Sequence, residues 1–299
     1  MVEVVECVPN FSEGRRKDVV DAIGSAIARV GGVRILDVQM DADHNRSVIT
    51  FVGDRPAVSE AAFRAASAAV EGIDMNAHRG EHPRVGALDV LPFVPIAGAT
   101  MADCVALARA VGQRIADELH VPVYLYEAAA TRPDRRALPD VRRGEYEGLK
   151  AEIETNPDRK PDFGPARLHP TAGACIVGAR PLLIAWNVNL RTADVGIAKR
   201  IARAIRESDG GLPAVRAKGF ALSERGLVQV SMNMVDYRRT SLVQAFEAIR
   251  RLADQEGVEI AESEIVGLVP LDALVDGATQ YFKLARFHRA QILETRLWE

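Results

Sequence analysis

His82 stands between Glu81 and Arg84 and next to Pro83, in the run Gly80-Glu81-His82-Pro83-Arg84-Val85-Gly86-Ala87-Leu88-Asp89. An imidazole titrates near neutral pH, so one side chain can accept a proton and return it. In an extended chain Arg84 shares a face with His82. Pro83 restricts the local backbone, and Gly80 and Gly86 would let a ligand approach the main chain closely. An apolar strand follows, which predicts His82 at the mouth of a sheet, placed for proton transfer. A capping or hydrogen-bonded structural histidine stays open on residue type alone.

His78 and His82 are four apart, which on a helix would present two metal ligands, but Gly80 and Pro83 argue against a helix and no HExxH pattern occurs. No metal is expected. A second cluster, Asp37, Asp41, Asp43, His44, Asn45 and Arg46, joins two candidate strands. Asp and Asn are good turn residues, so it reads as a polar connection. It reads equally as a place where Asn45 and Arg46 hold a polar substrate. A third cluster runs from Asp162 to Gly173, followed by Gly178-Ala179-Arg180 and Trp186-Asn187-Val188-Asn189-Leu190. It is either a plain interdomain crossing or a binding segment. No dinucleotide or P-loop glycine pattern is present.

The elements that must carry these residues alternate strands and helices. Val2–Pro9, Val33–Val38, Ser47–Val52 and Val85–Pro95 read as strands. Ser12-Glu13-Gly14 opens a helix, an Ala-rich helix spans Ala57 to Val70, and Thr100 caps a helix over Met101–Leu119, before a strand at Val121–Tyr126. The second half repeats the order. Leu182–Leu190 is a strand, Thr192 caps a helix over Ala193–Glu207, and Ala214–Leu222 and Leu227–Asn233 form a hairpin. Thr240 caps a helix over Ser241–Glu256, and Glu259–Val266 is a last strand. The expected class is α+β, with two ferredoxin-like βαββαβ subdomains, residues 1–180 and 181–299, and a ligand cleft between them. Short turns between adjacent strands argue against a doubly wound sheet. Thr131–Gly173 has weak periodicity and reads as functional or disordered. The tail Phe282–Glu299 reads as a basic amphipathic helix that packs on its own domain or on a second copy, so a homodimer is an open expectation.

The chain has 299 residues, 48% of them hydrophobic, and a net charge of −3. Such a length suggests roughly two domains. There is no basic excess of the kind a nucleic-acid partner needs, no apolar run near the ~20 residues of a membrane span, and no basic leader at the N-terminus. Cys7, Cys104 and Cys175 form no CxxC pair. They read as buried thiols in a reducing compartment, which makes the cytoplasm the expected location.

The run around His82, together with Val5-Glu6-Cys7-Val8-Pro9-Asn10-Phe11-Ser12-Glu13-Gly14, resembles the formiminotransferase family. Further likeness lies at Asn45 and Arg46, at Gly112-Gln113-Arg114, at Gly144-Glu145-Tyr146-Glu147, at Asp162-Phe163-Gly164-Pro165, and at Glu264-Ile265-Val266-Gly267-Leu268-Val269-Pro270. The resemblance implies transfer of a formimino group from formiminoglutamate to tetrahydrofolate, in one-carbon metabolism and histidine degradation, with tetrahydrofolate as co-substrate and no metal. It implies His82 as the catalytic histidine. It implies a folate-binding segment of Gly164, Pro165, Ala166, Arg167, Leu168, His169, Pro170, Thr171, Ala172 and Gly173. The two carboxylates of glutamate call for cations, and Asn45, Arg46 and Arg84 are the substrate-binding candidates. Longer family members carry a cyclodeaminase domain, for which this chain is too short, so only the transferase step is expected. Two alternatives remain: a formyl donor served by the same histidine, or a folate-binding protein without turnover.

Overall fold

The computed structural model describes residues 3–80 and 82–298, with side chains described through residue 295. Val2, the expected start of the first strand, and Glu81, the expected neighbour of His82, lie outside the described residues. The chain divides into two compact units, Met1–Pro181 and Leu182–Glu299.

The first unit opens with β1 (Val4–Cys7) and β2 (Asn10–Phe11), two pieces of one strand interrupted at Val8-Pro9, where Pro9 has no N–H to donate. Then come α1 (Lys17–Ala28), β3 (Arg34–Asp41), β4 (Arg46–Gly53), α2 (Arg55–Gly72), β5 (Leu88–Ala97), α3 (Met101–Leu119) and β6 (Val123–Glu127). The segment onward to β7 (Cys175–Ala179) carries two short helices, α4 (Leu138–Val141) and α5 (Glu145–Glu152). The sheet runs β3, β4, the β1/β2 pieces, β5, β7, β6; pairings are antiparallel up to β5 and parallel from β5 through β7 to β6. Strand β7 had no sequence-based expectation. It is short and entirely buried, and such a run carries no alternation to read.

Helices α1, α2 and α3 cover one face. Phe11, Phe51, Phe93, Ile23, Ile27, Leu91 and Ile115 are fully buried beneath them, each contributing roughly 1.5–3 kcal/mol. Five buried alanines of α2 allow that helix to lie close to its neighbours. Thr100 and Asp103 form a capping box at the start of α3, as its sequence predicts. The stretch 131–173 is not an open crossing. Val141, Leu149 and Ile153 bury the second face of the sheet, against Val90, Tyr124, Tyr126 and Ile176.

The second unit contains β8 (Ile184–Leu190), α6 (Val195–Ile205), β9 (Val215–Leu222), β10 (Leu227–Met234), α7 (Leu242–Gln255), β11 (Ile260–Val266), α8 (Leu271–Tyr281) and α9 (Leu293–Trp298). Its antiparallel sheet has the order β11, β8, β10, β9 over a core that includes Val188, Ile201, Val230 and Ile249. Both units are therefore mixed α+β, each with its own sheet.

Four local expectations are corrected. Asp194, not Thr192, caps α6, its carboxylate accepting from Gly196 N at 2.8 Å. Ser241, not Thr240, caps α7 in a capping box with Gln244, while Thr240 Oγ1 donates to Pro213 O at 2.6 Å. The tail after α8 is a short 3-10 turn and the six-residue α9 rather than one long helix. Helix α1 begins at Lys17, not at Ser12; Glu13 accepts from the N–H groups of Arg15 and Arg16, both at 2.9 Å, ahead of its first turn. No helix among the described residues is long and apolar enough to cross a membrane.

Candidate active site

Three connections meet at one end of the first sheet: the loop leaving β2, the β3–β4 turn, and the loop entering β5. The registers Phe11↔Ser47, Phe11↔Leu88 and Asp41↔Arg46 bring them level. They close around one tight space lined by residues that include Asn10, His44, Arg46, His82, Arg84 and Asp89.

The turn is a rigid platform. Asp41 accepts from His44 N at 2.8 Å and pairs with His44 Nδ1 at 2.7 Å. Asn45 adopts a left-handed φ of 47°, which Asn tolerates better than most residues. Its amide is engaged at both ends: Oδ1 accepts from Gly14 N and Nδ2 donates to Arg79 O, both at 2.9 Å. Its carbonyl accepts from His78 Nε2 at 2.9 Å. That bond assigns the proton of His78 to Nε2, leaving Nδ1 to accept from Arg84 Nε at 3.3 Å. Asn45 thus holds the turn through one N–H of its amide, and it lines the His82 space.

Arg84 is buried, and its guanidinium is taken by Glu147 and Glu145 of α5. This corrects the expectation that it offers a free cation. Arg84 lines the same space as His82, and the stretch 131–173 supplies its carboxylates. Gly80 and Gly86 are corrected likewise. A Cβ on Gly80 would sit 2.3 Å from His44 O, and one on Gly86 1.9 Å from Ala174 O, so main chain packs on main chain there and no ligand enters.

Arg46 is different. Its Nη2 donates to Asn10 Oδ1, its buried Nε has no partner, and no carboxylate lies within ion-pair distance among the described residues. Burial, and then the charge of Arg142, bring its pKa down to about 10. His82 is half-buried, with its ring 6.5 Å from that of His44 and nearly perpendicular to it. Burial foremost, then the charges of Arg46, Arg142 and His44, push its pKa down to about 2. Burial and these charges thus favour a neutral His82, able to accept a proton but a weak base until the positive charges are countered.

Arg142 and Asp89 had no sequence-based role. Asp89 is 2% exposed; it accepts from Val85 N at 2.8 Å and pairs with Arg142 Nη2. Arg142 is sixty residues from His82 in an Arg-rich stretch, and no local pattern separates it from its neighbours.

The Gly164–Gly173 segment is mostly framework. Gly164 takes a φ of 84° beneath Ala116 and Pro122. Asp162 accepts from Leu125 N at 2.8 Å and pairs with Arg135 at 2.5 Å, which fixes the chain before Pro165 and Ala166. Arg167 is exposed and Leu168 packs on the core. His169 and Gly173 exchange main-chain hydrogen bonds around Pro170, Thr171 and Ala172. Thr171 reaches a second cavity of about 340 Å³, which also touches Ser12, Asn45 and His78 and so adjoins the His82 space. That volume is in the range of small-molecule sites. Among the described residues, no three of His, Cys, Asp and Glu come together as metal ligands.

Residues 4–180 match the formiminotransferase domain, N-terminal subdomain, and residues 185–295 match the formiminotransferase domain. A glutamate formimidoyltransferase of Thermoplasma acidophilum is 52% identical over 99% of this chain and 98% of its own. One from Streptococcus pyogenes is 46% identical over 99% of both. The formimidoyltransferase-cyclodeaminase of Mus musculus is 46% identical over 99% of this chain and 57% of its own length.

Proposed function

The chain belongs to the formiminotransferase family and is a transferase, and we propose that it moves the formimino group of N-formimino-L-glutamate to N5 of tetrahydrofolate. Glutamate and 5-formiminotetrahydrofolate are the products. The observation that carries this reading is that His82 and Arg46 line one space, Arg46 having no carboxylate within ion-pair distance among the described residues.

N5 attacks the amidine carbon and a tetrahedral adduct forms. His82 takes the proton that N5 loses and delivers it to the glutamate nitrogen as the carbon–nitrogen bond breaks. Such proton transfer is typically worth ~10²–10⁴-fold. Arg46 binds a carboxylate of the donor, and this anion offsets the positive field on His82. The imidazole then becomes a stronger base when the donor is present. Asn45, His78 and Arg84 position the turn that bears Arg46. Tetrahydrofolate uses the 340 Å³ cavity, to which Thr171 of the Gly164–Gly173 segment contributes. Juxtaposing the two substrates supplies much of the remaining acceleration. We read both units as ferredoxin-like; the βαββαβ order of the second and its β11, β8, β10, β9 sheet support this.

A spectroscopic turnover assay with formiminoglutamate and tetrahydrofolate, run on wild type and His82→Ala, tests the proposal. Turnover in the wild type, lost in the variant with folate binding retained, is the expected result. Turnover of formylglutamate but not formiminoglutamate overturns the donor, and undiminished turnover in His82→Ala overturns the proton shuttle.

A further inference from the structure

Two guanidinium groups, those of Arg46 and Arg142, act on His82. Among the described residues the single carboxylate engaged with either is Asp89. Asp41 is occupied by His44, and Glu145 and Glu147 by Arg84. Among the described residues, both Arg46 Nε and Arg142 Nε are buried without a hydrogen-bond partner. Arg159 Nε is also without a hydrogen bond, but it faces Glu152 at 3.2 Å. An unpaired donor on a desolvated cation is costly, and a bound anion relieves the cost.

Arg142 is held for such a role. Its N–H donates to Leu138 O at 3.0 Å at the end of α4. Asp89, fixed by Val85 N through one oxygen, engages Arg142 Nη2 with the other. One edge of the guanidinium is thereby anchored, and the buried Nε has no partner among the described residues. Asp89 lines the same space as Arg46 and His82, and Arg142 is joined to Asp89, which sets the second cation behind that space. Planar guanidinium groups match carboxylate geometry better than ammonium groups do.

We infer that Arg142, steered by Asp89, completes with Arg46 a subsite for one carboxylate of the glutamate donor. The inference rests on the donor proposed above. A carboxylate could also come from the glutamate tail of the folate, and the two sources are separable by kinetics.

The test compares wild type, Arg142→Gln and Arg142→Lys by steady-state kinetics in each substrate, with glutamate binding measured by calorimetry. Arg142→Gln is expected to raise the KM for formiminoglutamate and the Kd for glutamate about tenfold or more, with the KM for folate unchanged and kcat reduced less. Arg142→Lys, which keeps the charge without the fork, should recover part of that loss; a merely structural arginine would show no such selective rescue. If Arg142→Gln does not fold, Arg142→Lys alone decides: an unchanged donor KM and glutamate Kd overturn the inference. A rise confined to the folate KM also overturns it, since the carboxylate is then the folate's. Wild type that binds glutamate but turns over no formiminoglutamate defeats the function proposed above, and calorimetry on the variants still tests the subsite.

Discussion

Arg84 grips Glu147 with both terminal nitrogens, Nη1 to Oε2 at 2.9 Å and Nη2 to Oε1 at 2.7 Å, while its Nε donates to His78 Nδ1 at 3.3 Å. His78 in turn donates to the carbonyl of Asn45, next to Arg46. A chain of directed bonds thus runs from α5 to the β3–β4 turn.

Arg84→Ala should therefore destabilise the fold by about 2–4 kcal/mol, because it strips His78 of its partner and opens a buried site. Glu147 is well exposed, so Glu147→Gln should cost within about 1 kcal/mol. Denaturant titration of both variants measures this. A stable Arg84→Ala protein with only a raised donor KM would show that Arg84 binds substrate after all.

Arg46→Ala should raise the donor KM about 10–100-fold with a smaller fall in kcat, since the lost contact is present before and during the reaction. Equal losses in kcat and kcat/KM would place Arg46 in the transition state alone.

The lowered pKa of His82 has a consequence for acid stability. An unfolded histidine titrates near ~6.5. Below that pH the unfolded chain binds a proton that the folded chain refuses, so stability falls as pH falls, by at most about 1.4 kcal/mol per unit for one histidine. His78 and His169 are also lowered, by burial first, and act with the same sign. The lowered carboxylates of Glu13 and Asp41 lose their contribution only under more acid conditions, as pH falls through their own depressed values. Between pH 6.5 and 5, His82→Ala should therefore lose less stability than wild type in denaturant melts. Parallel losses would mean that His82 is protonated as easily in the fold as outside it.

Gly86→Ala should cost more than about 3 kcal/mol or abolish folding, because its Cβ would lie 1.9 Å from Ala174 O and 2.6 Å from Ala172 O. Gly24→Ala, with open space around it on α1, should be neutral or stabilising. Thermal melts of the pair distinguish a steric requirement from a general sensitivity to substitution.

Periodicity, capping residues and turn chemistry are local, and they were enough to read the alternation of elements, the α3 capping box, the β9–β10 hairpin and the α+β class. They also singled out His82 and Arg46, because an unusual run of polar residues stands out where strands begin and end. What each arginine does was not legible. Arg84 and Arg46 look alike as residues, yet one is closed by carboxylates more than sixty positions away and the other is left with a buried, unpaired nitrogen. Arg142 and Asp89 meet only because the stretch 131–173 folds back over the second face of the sheet, and Gly86 matters only because β7 passes against it. Charge balance and desolvation depend on which groups surround a side chain in space, and that is settled by the packing of distant segments rather than by neighbours in the chain.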